Sequence, residues 1–560
     1  MFQQALDPVA GSPTVSALVA CLPLLTMFIT LGVLRWKAHY AGLTSVAVAI
    51  LVAIIGFKMP VTLALHSTLN GAAFGLYPIA WIVVTAIFMY MITVKSGRFN
   101  DLRATFNLLS DDLRIQAILI AFCFGGLLEA LAGYGAPIAI TGAMLMALGF
   151  SPVRAALAVL LANTAPVAFG AVAIPIDTAA QVTQMDPRLV SSVAASQTFL
   201  LAIFVPLLLV LMVDGFKGVR QTFPVALPIG IAFAFASYFT AQSAVYQLTN
   251  VFASLAGLLT AIIILRFWQP PEADRVKEQL AAELERARES GLAAAVQEDE
   301  TPDASELTPA RIWMAVVPYI LVIFIFGAAK LVGPLKAAID STTISFDWPG
   351  LAGQILRPDG SPYPVTFKLD LIANPGGQLL LTGILVAIIY RMSVADTVKT
   401  FTETLYNMRF AILTMASVLA LAFVMNASGQ TLSIGNWIAG VGAAFAFLGP
   451  VLGWLGVFVT GSDTSSNALF CALQKEAAMQ AGLDQLVMVA GNTAGGVVGK
   501  MISPQNLAIA TTAVGLSGQE SLLLRKVVWW SIGLLLFTCI VIGLQATGFL
   551  DFSIPAHPYV

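Results

Sequence analysis

The chain alternates long apolar runs with short polar ones, and the apolar runs have the length of membrane spans. About 20 mostly apolar residues in a helix cross the hydrocarbon core of a bilayer. Such runs occupy residues 15–34, 41–56, 65–93, 153–174, 190–213, 223–241, 244–267, 312–332, 376–390, 410–428, 486–502 and 527–546. They predict an all-α polytopic membrane protein of about twelve transmembrane helices. Two further apolar stretches are interrupted. Residues 115–150 break at 132–136, and residues 449–481 break at the polar run Gly461-Ser462-Asp463-Thr464-Ser465-Ser466-Asn467. Non-helical polar chain at membrane depth is tolerated only when buried in protein or lining a wet cavity. Each interrupted stretch is therefore expected to be a re-entrant hairpin.

Composition agrees with this reading. Only 10% of residues are charged, against about a quarter in soluble chains, which excludes a string of soluble domains. A net charge of −2, with no basic patch interleaved with aromatics, points away from nucleic acid. Cys21, Cys123, Cys471 and Cys539 lie in apolar segments without metal-ligand spacing, so free buried thiols are expected and no metal or cofactor site is. Residues 1–14 lack Lys and Arg, so 15–34 is expected to stay as a span rather than act as a cleaved leader.

Lys and Arg in short loops set orientation. Arg35, Lys37, Lys95, Arg98, Arg103, Lys217, Arg220, Arg391, Lys399 and Arg409 fall on one side if both termini are exterior, and they outnumber Lys58, Arg188, Lys336, Arg357 and Lys368 on the other. Residues 269–310 then form a charged cytoplasmic loop, with a short surface helix at 276–290 and an acidic linker at 298–306. Residues 333–375, rich in turn signals, form an exterior loop holding a hairpin.

A motif repeats. Asn163-Thr164-Ala165 is followed by Gly170 and Pro175; Asn492-Thr493-Ala494 is followed by Gly499 and Pro504 at the same spacing. Ser96-Gly97 and Ser428-Gly429 each precede a hairpin, and Gly133 and Gly461 sit at similar distances ahead of the two motifs. The ordered set predicts a duplication. Its first half is 1–213, with hairpin 115–150 and broken helix 153–174. Its second is 311–560, with hairpin 449–481 and broken helix 486–502, and connecting helices at 214–268. The loop charges place the halves in opposite orientations, the inverted-repeat plan of secondary transporters, whose sites lie at interrupted helices near the midplane.

That plan suits an anion. The start of a helix carries unpaired N–H groups and about half a positive charge, so it holds a small carboxylate. Expected contributors to binding are Gly133, Tyr134 and Gly135 at the first tip, and Ser462, Thr464, Ser465, Ser466 and Asn467 at the second. Asn163, Thr164, Asn492, Thr493 and Lys500 in the repeated motifs complete the set. A charge at the bilayer centre costs at least ~2.5–3.5 kcal/mol, so each intramembrane acid is informative. Glu129, Asp463 and Asp177 are the candidates for carrying a coupling proton, because desolvation moves a carboxyl group toward working pH. The preferred assignment has Asp463 beside Lys500 and Glu129 as the carrier. His66, at the start of a span, reads as a packing residue, and the other two histidines fall outside the spans. No H-E-x-x-H, G-x-S-x-G, P-loop or Cys/His cluster occurs, which argues against an enzyme.

Three stretches resemble the lactate permease family of bacterial 2-hydroxymonocarboxylate:proton symporters. They are Leu128-Glu129-Ala130-Leu131-Ala132-Gly133-Tyr134-Gly135-Ala136-Pro137, residues 460–470 (TGSDTSSNALF), and Gly495-Gly496-Val497-Val498-Gly499-Lys500-Met501-Ile502-Ser503-Pro504-Gln505. The resemblance covers nearly the whole chain. In the first motif Tyr134 stands where the family pattern has Phe, and Ala136 where it has Thr. The resemblance implies import of L-lactate, D-lactate or glycolate with a proton across a bacterial inner membrane. On the residues alone, a sodium-coupled carboxylate transporter, a channel and a membrane-embedded enzyme stay open as alternatives.

Overall fold

A computed structural model describes residues 1–107, 109–133, 135–289 and 308–555. It is an assembly of helices. Ten are long and apolar enough to cross a membrane, and up to 12 are if each of two bent pairs counts as one span. The predicted spans recur with physical adjustments at their ends. Residues 65–93 belong to a longer helix, Val61–Lys95, which bends where Tyr77 leaves helical geometry ahead of Pro78. Spans 190–213 and 223–241 are parts of one helical run, Pro187–Ala241, hinged at Gly215 with φ 67° and ψ −166°, a conformation only glycine takes readily. Span 376–390 is a helix of 15 residues, Pro375–Ile389, and Val394–Ser428 extends well beyond 410–428.

The loop at 333–375 contains the expected hairpin, Ile344–Asp347 pairing antiparallel with Thr366–Leu369. Phe2–Gln3 adds in parallel to Ile355–Leu356. The residues before the first span therefore pack on this loop, and the span Pro13–Val33 leads away from it to Arg35 and Lys37. The charged connector forms the helix Ala273–Glu289, with Val276 and Leu280 buried. Glu283 ties it to Ser151 (2.6 Å) and Arg154 (2.6 Å). The acidic linker at 298–306 lies outside the described residues.

Both interrupted stretches fold back on themselves. In the first, Leu113–Leu131 is followed by the returning helix Ala136–Ala147, with Pro137 in its first turn. Gly133 (φ 43°) and Gly135 (φ 82°) supply the left-handed backbone the turn requires. In the second, Phe445–Thr460 ends on Gly461 (φ 73°), and Asp463–Ala481 starts after the cap Ser462. The arms of the second hairpin run antiparallel. Ser466 donates to the Gly453 carbonyl (3.0 Å) and Gln474 to the Gly449 carbonyl (2.6 Å). Small residues let such backbones close without hydrophobic driving force from lipid. A Cβ at Gly453 would lie 1.9 Å from the Asn492 carbonyl oxygen.

The two N-T-A segments are broken helices. Pro152–Ala162 and Val167–Thr183 meet at 65°, and Gln485–Ile502 and Pro504–Ala513 at 45°. In the first, Ala171, Val172 and Ala173 all take φ between 43° and 60°. A left-handed turn of L-residues costs roughly 1–2 kcal/mol per residue, and complete burial of all three holds it in place. The order of hairpin followed by broken helix thus occurs twice along the chain.

Candidate functional site

The two hairpin tips and the two helix breaks enclose one cavity of about 1050 Å³. Gly133 and Glu129 reach it from the first hairpin, and Gly170, Ala171 and Pro175 from the first broken helix. Gly461 to Ser465 enter from the second tip, and Lys500, Gln505 and Asn506 from the second break. Arg35, Lys37, His39 and Phe410 also line it, at the opposite end of the first span from the 344–369 hairpin.

The charges are arranged differently from the sequence assignment. The Lys500 ammonium donates to Glu129 Oε1 at 2.7 Å, and Asn163 donates to Glu129 Oε2 at 3.0 Å. Glu129 and Lys500 are both buried. Asp463 is not the residue paired with Lys500. Its two carboxylate oxygens are buried with no hydrogen-bond partner among the described residues. The reason is spatial. Glu129 ends the first hairpin's descending arm against Gly170, whose missing Cβ leaves room (a Cβ there would be 2.7 Å from Oε1). Asp463 lies instead against Gly496, where a Cβ would be 2.2 Å from its Oδ1. A buried ion pair tolerates its desolvation only with good geometry and further hydrogen bonds, which Glu129 has and Asp463 lacks.

Asp463 occupies the first turn of a 19-residue helix. The Ser462 hydroxyl caps that turn by accepting from the Ser465 N–H (3.3 Å). The Thr464 and Ser465 hydroxyls line the cavity and have no protein partner among the described residues. The site therefore presents a helix N-terminus, one ammonium with donors to spare, free hydroxyls and an unpaired acid.

Other expected residues hold this arrangement from behind. Asn467 donates to the Pro175 carbonyl (2.9 Å) and Thr493 (2.8 Å), and accepts from Asn492 (2.9 Å). Ser466 binds its own hairpin, and Thr164 donates to the Leu161 carbonyl (2.7 Å). These four polar groups, with Asn163 and Thr493, are buried away from the cavity wall; each makes at least one hydrogen bond, and the Asn163 side-chain oxygen is left without a partner among the described residues. Gly135 packs on Ile509. Asp177 accepts from the Tyr246 hydroxyl and does not line the cavity. Tyr134 lies outside the described residues. Sequence reasoning missed Gly170 and Gly496, whose role is to have no side chain beside an acid. It also missed His39, placed outside the spans by its neighbours but buried in the first turn of the helix Ala38–Leu51, stacked on Phe410.

Paired hairpins and broken helices around a polar cavity in a multi-pass helical protein define a membrane transporter, not an enzyme. The family profile described as L-lactate permease matches residues 16–549, and the chain belongs to that family. It is 39% identical to an L-lactate permease of Bacillus subtilis over 97% of this chain and 98% of the relative. Glycolate permease GlcA of Escherichia coli is 40% identical, with 92% and 93% covered. An L-lactate permease of Escherichia coli is 39% identical, with 97% of each covered.

Proposed function

We propose that this permease imports L-lactate, D-lactate and glycolate, each with one proton, across a bacterial inner membrane. Relatives named for lactate and glycolate support the substrate class. In this reading both termini and the 333–375 loop are exterior, and the cavity is open to the cytoplasm at Arg35 and Lys37. The substrate carboxylate sits at the N-terminus of Asp463–Ala481, facing the free donors of Lys500. Its 2-hydroxyl bonds the hydroxyls of Thr464 and Ser465. A site built to bond a hydroxyl rejects analogues lacking it, since its own polar groups are left unpaired.

The observation that carries the coupling is the unpaired acid. Glu129 is neutralised by Lys500, so Asp463 is the proton carrier, in place of Glu129. An ionised Asp463 and a substrate carboxylate about 4 Å apart would repel by roughly 4 kcal/mol at an effective dielectric of 20. The substrate therefore enters when Asp463 is protonated, and the proton crosses with it. Carrying that proton also cancels the ~2.3 kcal/mol per 100 mV that an inward-moving monoanion would pay. Purified protein in liposomes should accumulate labelled lactate under an inward proton gradient. Accumulation under an inward sodium gradient at equal pH, and not under the proton gradient, would refute proton coupling.

A further inference from the structure

A second cavity, of about 360 Å³, lies at the opposite end of the two elements that wall the first. Gly170–Thr183 and Asp463–Ala481 each begin in the central cavity. Each ends in the second one, at Thr183 and Gln184, and at Lys475, Glu476 and Met479. Twelve residues of helix separate Asp463 from Lys475, a rise of roughly 18 Å. Between the cavities the two elements are sealed by Asn467 on the Pro175 carbonyl (2.9 Å). At the outer rim they are latched by Lys475, whose ammonium donates to the Thr183 carbonyl (2.7 Å). Thr183 is the last residue of its helix, where unpaired carbonyls and the negative end of the helix dipole favour a cation.

Donors around this cavity outnumber their partners. The Arg357 guanidinium has no hydrogen-bond partner among the described residues, and the Lys475 ammonium has the single carbonyl. The acids each accept on one oxygen, Asp359 from the Ser361 N–H (2.9 Å) and hydroxyl (2.7 Å) and Glu476 from Gln480 (3.0 Å). Ser67, 1% exposed, lines the same cavity with its hydroxyl unpartnered. A buried hydroxyl without a partner is unfavourable, and a ligand bonding it relieves that cost. Two cationic side chains with free donors and a waiting hydroxyl form a receptor for a small hydroxylated carboxylate.

We propose that this cavity is an external loading site for the transported carboxylate. Arg357 and Lys475 hold the carboxylate, and Ser67 bonds the 2-hydroxyl. A carboxylate engaging Lys475 draws the ammonium off the Thr183 carbonyl and unlatches the seam between Gly170–Thr183 and Asp463–Ala481. The passage to the central site then opens from outside. The proposal rests on the reading of the protein as an importer with the 333–375 loop exterior.

Face-resolved transport tests it. Arg357→Ala and, separately, Lys475→Gln are compared with wild type in right-side-out and inside-out vesicles carrying equal amounts of protein. The expected result is a KM for lactate raised about tenfold from the outside with influx Vmax unchanged; the KM from the cytoplasmic side is also unchanged, and efflux Vmax falls by the same factor, as reversibility requires. An unchanged external KM in both variants, or a KM raised equally from both faces, overturns the loading site. Arg357 makes no side-chain hydrogen bond among the described residues, so its variant stays informative if Lys475→Gln fails to accumulate. Failure of the parent reading looks different: wild type itself then shows no lactate transport, or a cysteine placed at Asp359 is labelled by an impermeant thiol reagent only in inside-out vesicles.

Discussion

Replacing Asp463 by Asn tests the coupling scheme most directly, because the amide keeps the shape of the acid and removes its titration. With Glu129 paired to Lys500 at 2.7 Å, the proposed scheme makes Asp463 the group whose ionisation sets the charge at the start of the helix that would receive substrate. In wild type, raising pH ionises Asp463 and sets a second negative charge beside the substrate carboxylate. At about 4 Å and an effective dielectric of 20 the repulsion is roughly 4 kcal/mol, close to a thousandfold in affinity since each 1.4 kcal/mol is tenfold. Wild-type affinity should thus fall steeply at alkaline pH, whereas Asp463→Asn should keep a pH-independent KM. The variant should also become electrogenic. It should catalyse lactate–lactate exchange yet be unable to concentrate lactate under a proton gradient. An interior-negative potential of 100 mV, worth ~2.3 kcal/mol per charge, should exclude lactate by roughly fiftyfold at equilibrium. The assay is counterflow and gradient-driven uptake in proteoliposomes with potassium–valinomycin potentials. If Asp463→Asn still accumulates lactate with full pH dependence, while Glu129→Gln exchanges but does not accumulate, the assignment made from the pairing is wrong.

Removing one partner of the buried Glu129–Lys500 pair leaves a charge uncompensated, which typically costs about 3–5 kcal/mol. Glu129→Gln should therefore lower thermal stability in detergent, and Glu129→Gln combined with Lys500→Met should regain most of it; additive losses would contradict a tight pair. Gly496→Ala places a Cβ 2.2 Å from Asp463 Oδ1, so transport should fall at least tenfold with normal abundance in the membrane, while Gly533→Ala, which meets nothing within 4 Å, should be silent. Propionate, which lacks the 2-hydroxyl, should compete with labelled lactate at least tenfold worse than glycolate, and Ser465→Ala should narrow that gap; equal competition in wild type would show the hydroxyl is not read.

The frame of the protein was legible because it is written in patterns that the membrane enforces. Apolar length gave the spans, and glycine with polar residues inside apolar runs located both hairpin tips. The duplicated N-T-A spacing located the broken helices. What stayed hidden depends on rotation and depth, which spacing does not encode. Asn467, Asn492 and Thr493 look like binding residues in one dimension, yet one helical turn decides whether an amide faces a cavity or a neighbouring backbone. Spans 190–213 and 223–241 read as separate because a polar, charged stretch divides them; only the positive φ of Gly215 reveals one hinged run. The pairing of Lys500 was missed for a related reason. Asp463 and Lys500 are close in sequence and belong to the second hairpin and the broken helix after it, whereas Glu129, from the first hairpin, reaches Lys500 from far along the chain.

If the two units of hairpin and broken helix are the proposed duplication, this pairing also explains how a repeated frame acquires one-sided chemistry. Counting from the paired asparagines Asn163 and Asn492, Lys500 falls opposite Ala171, Asp463 opposite Tyr134, and Glu129 opposite Phe458. None of these counterparts is a carboxylate or an amine, so the proposed duplication supplies two tips but only one carboxyl-bearing helix start. Two titrating tips around one cavity would admit two protons per anion or repel each other before any substrate arrived. In the proposed mechanism, one ion pair joining the two units and one free acid give a single protonation per cycle instead. The pair also joins the first hairpin to the second broken helix, so it should persist while the seam between Gly170–Thr183 and Asp463–Ala481 opens and closes. A cross-link between cysteines placed at Thr183 and Ala472, which both line the second cavity, should then block lactate uptake reversibly, with uptake restored by a reducing agent. Full uptake by the cross-linked protein would mean that the seam is not the moving element.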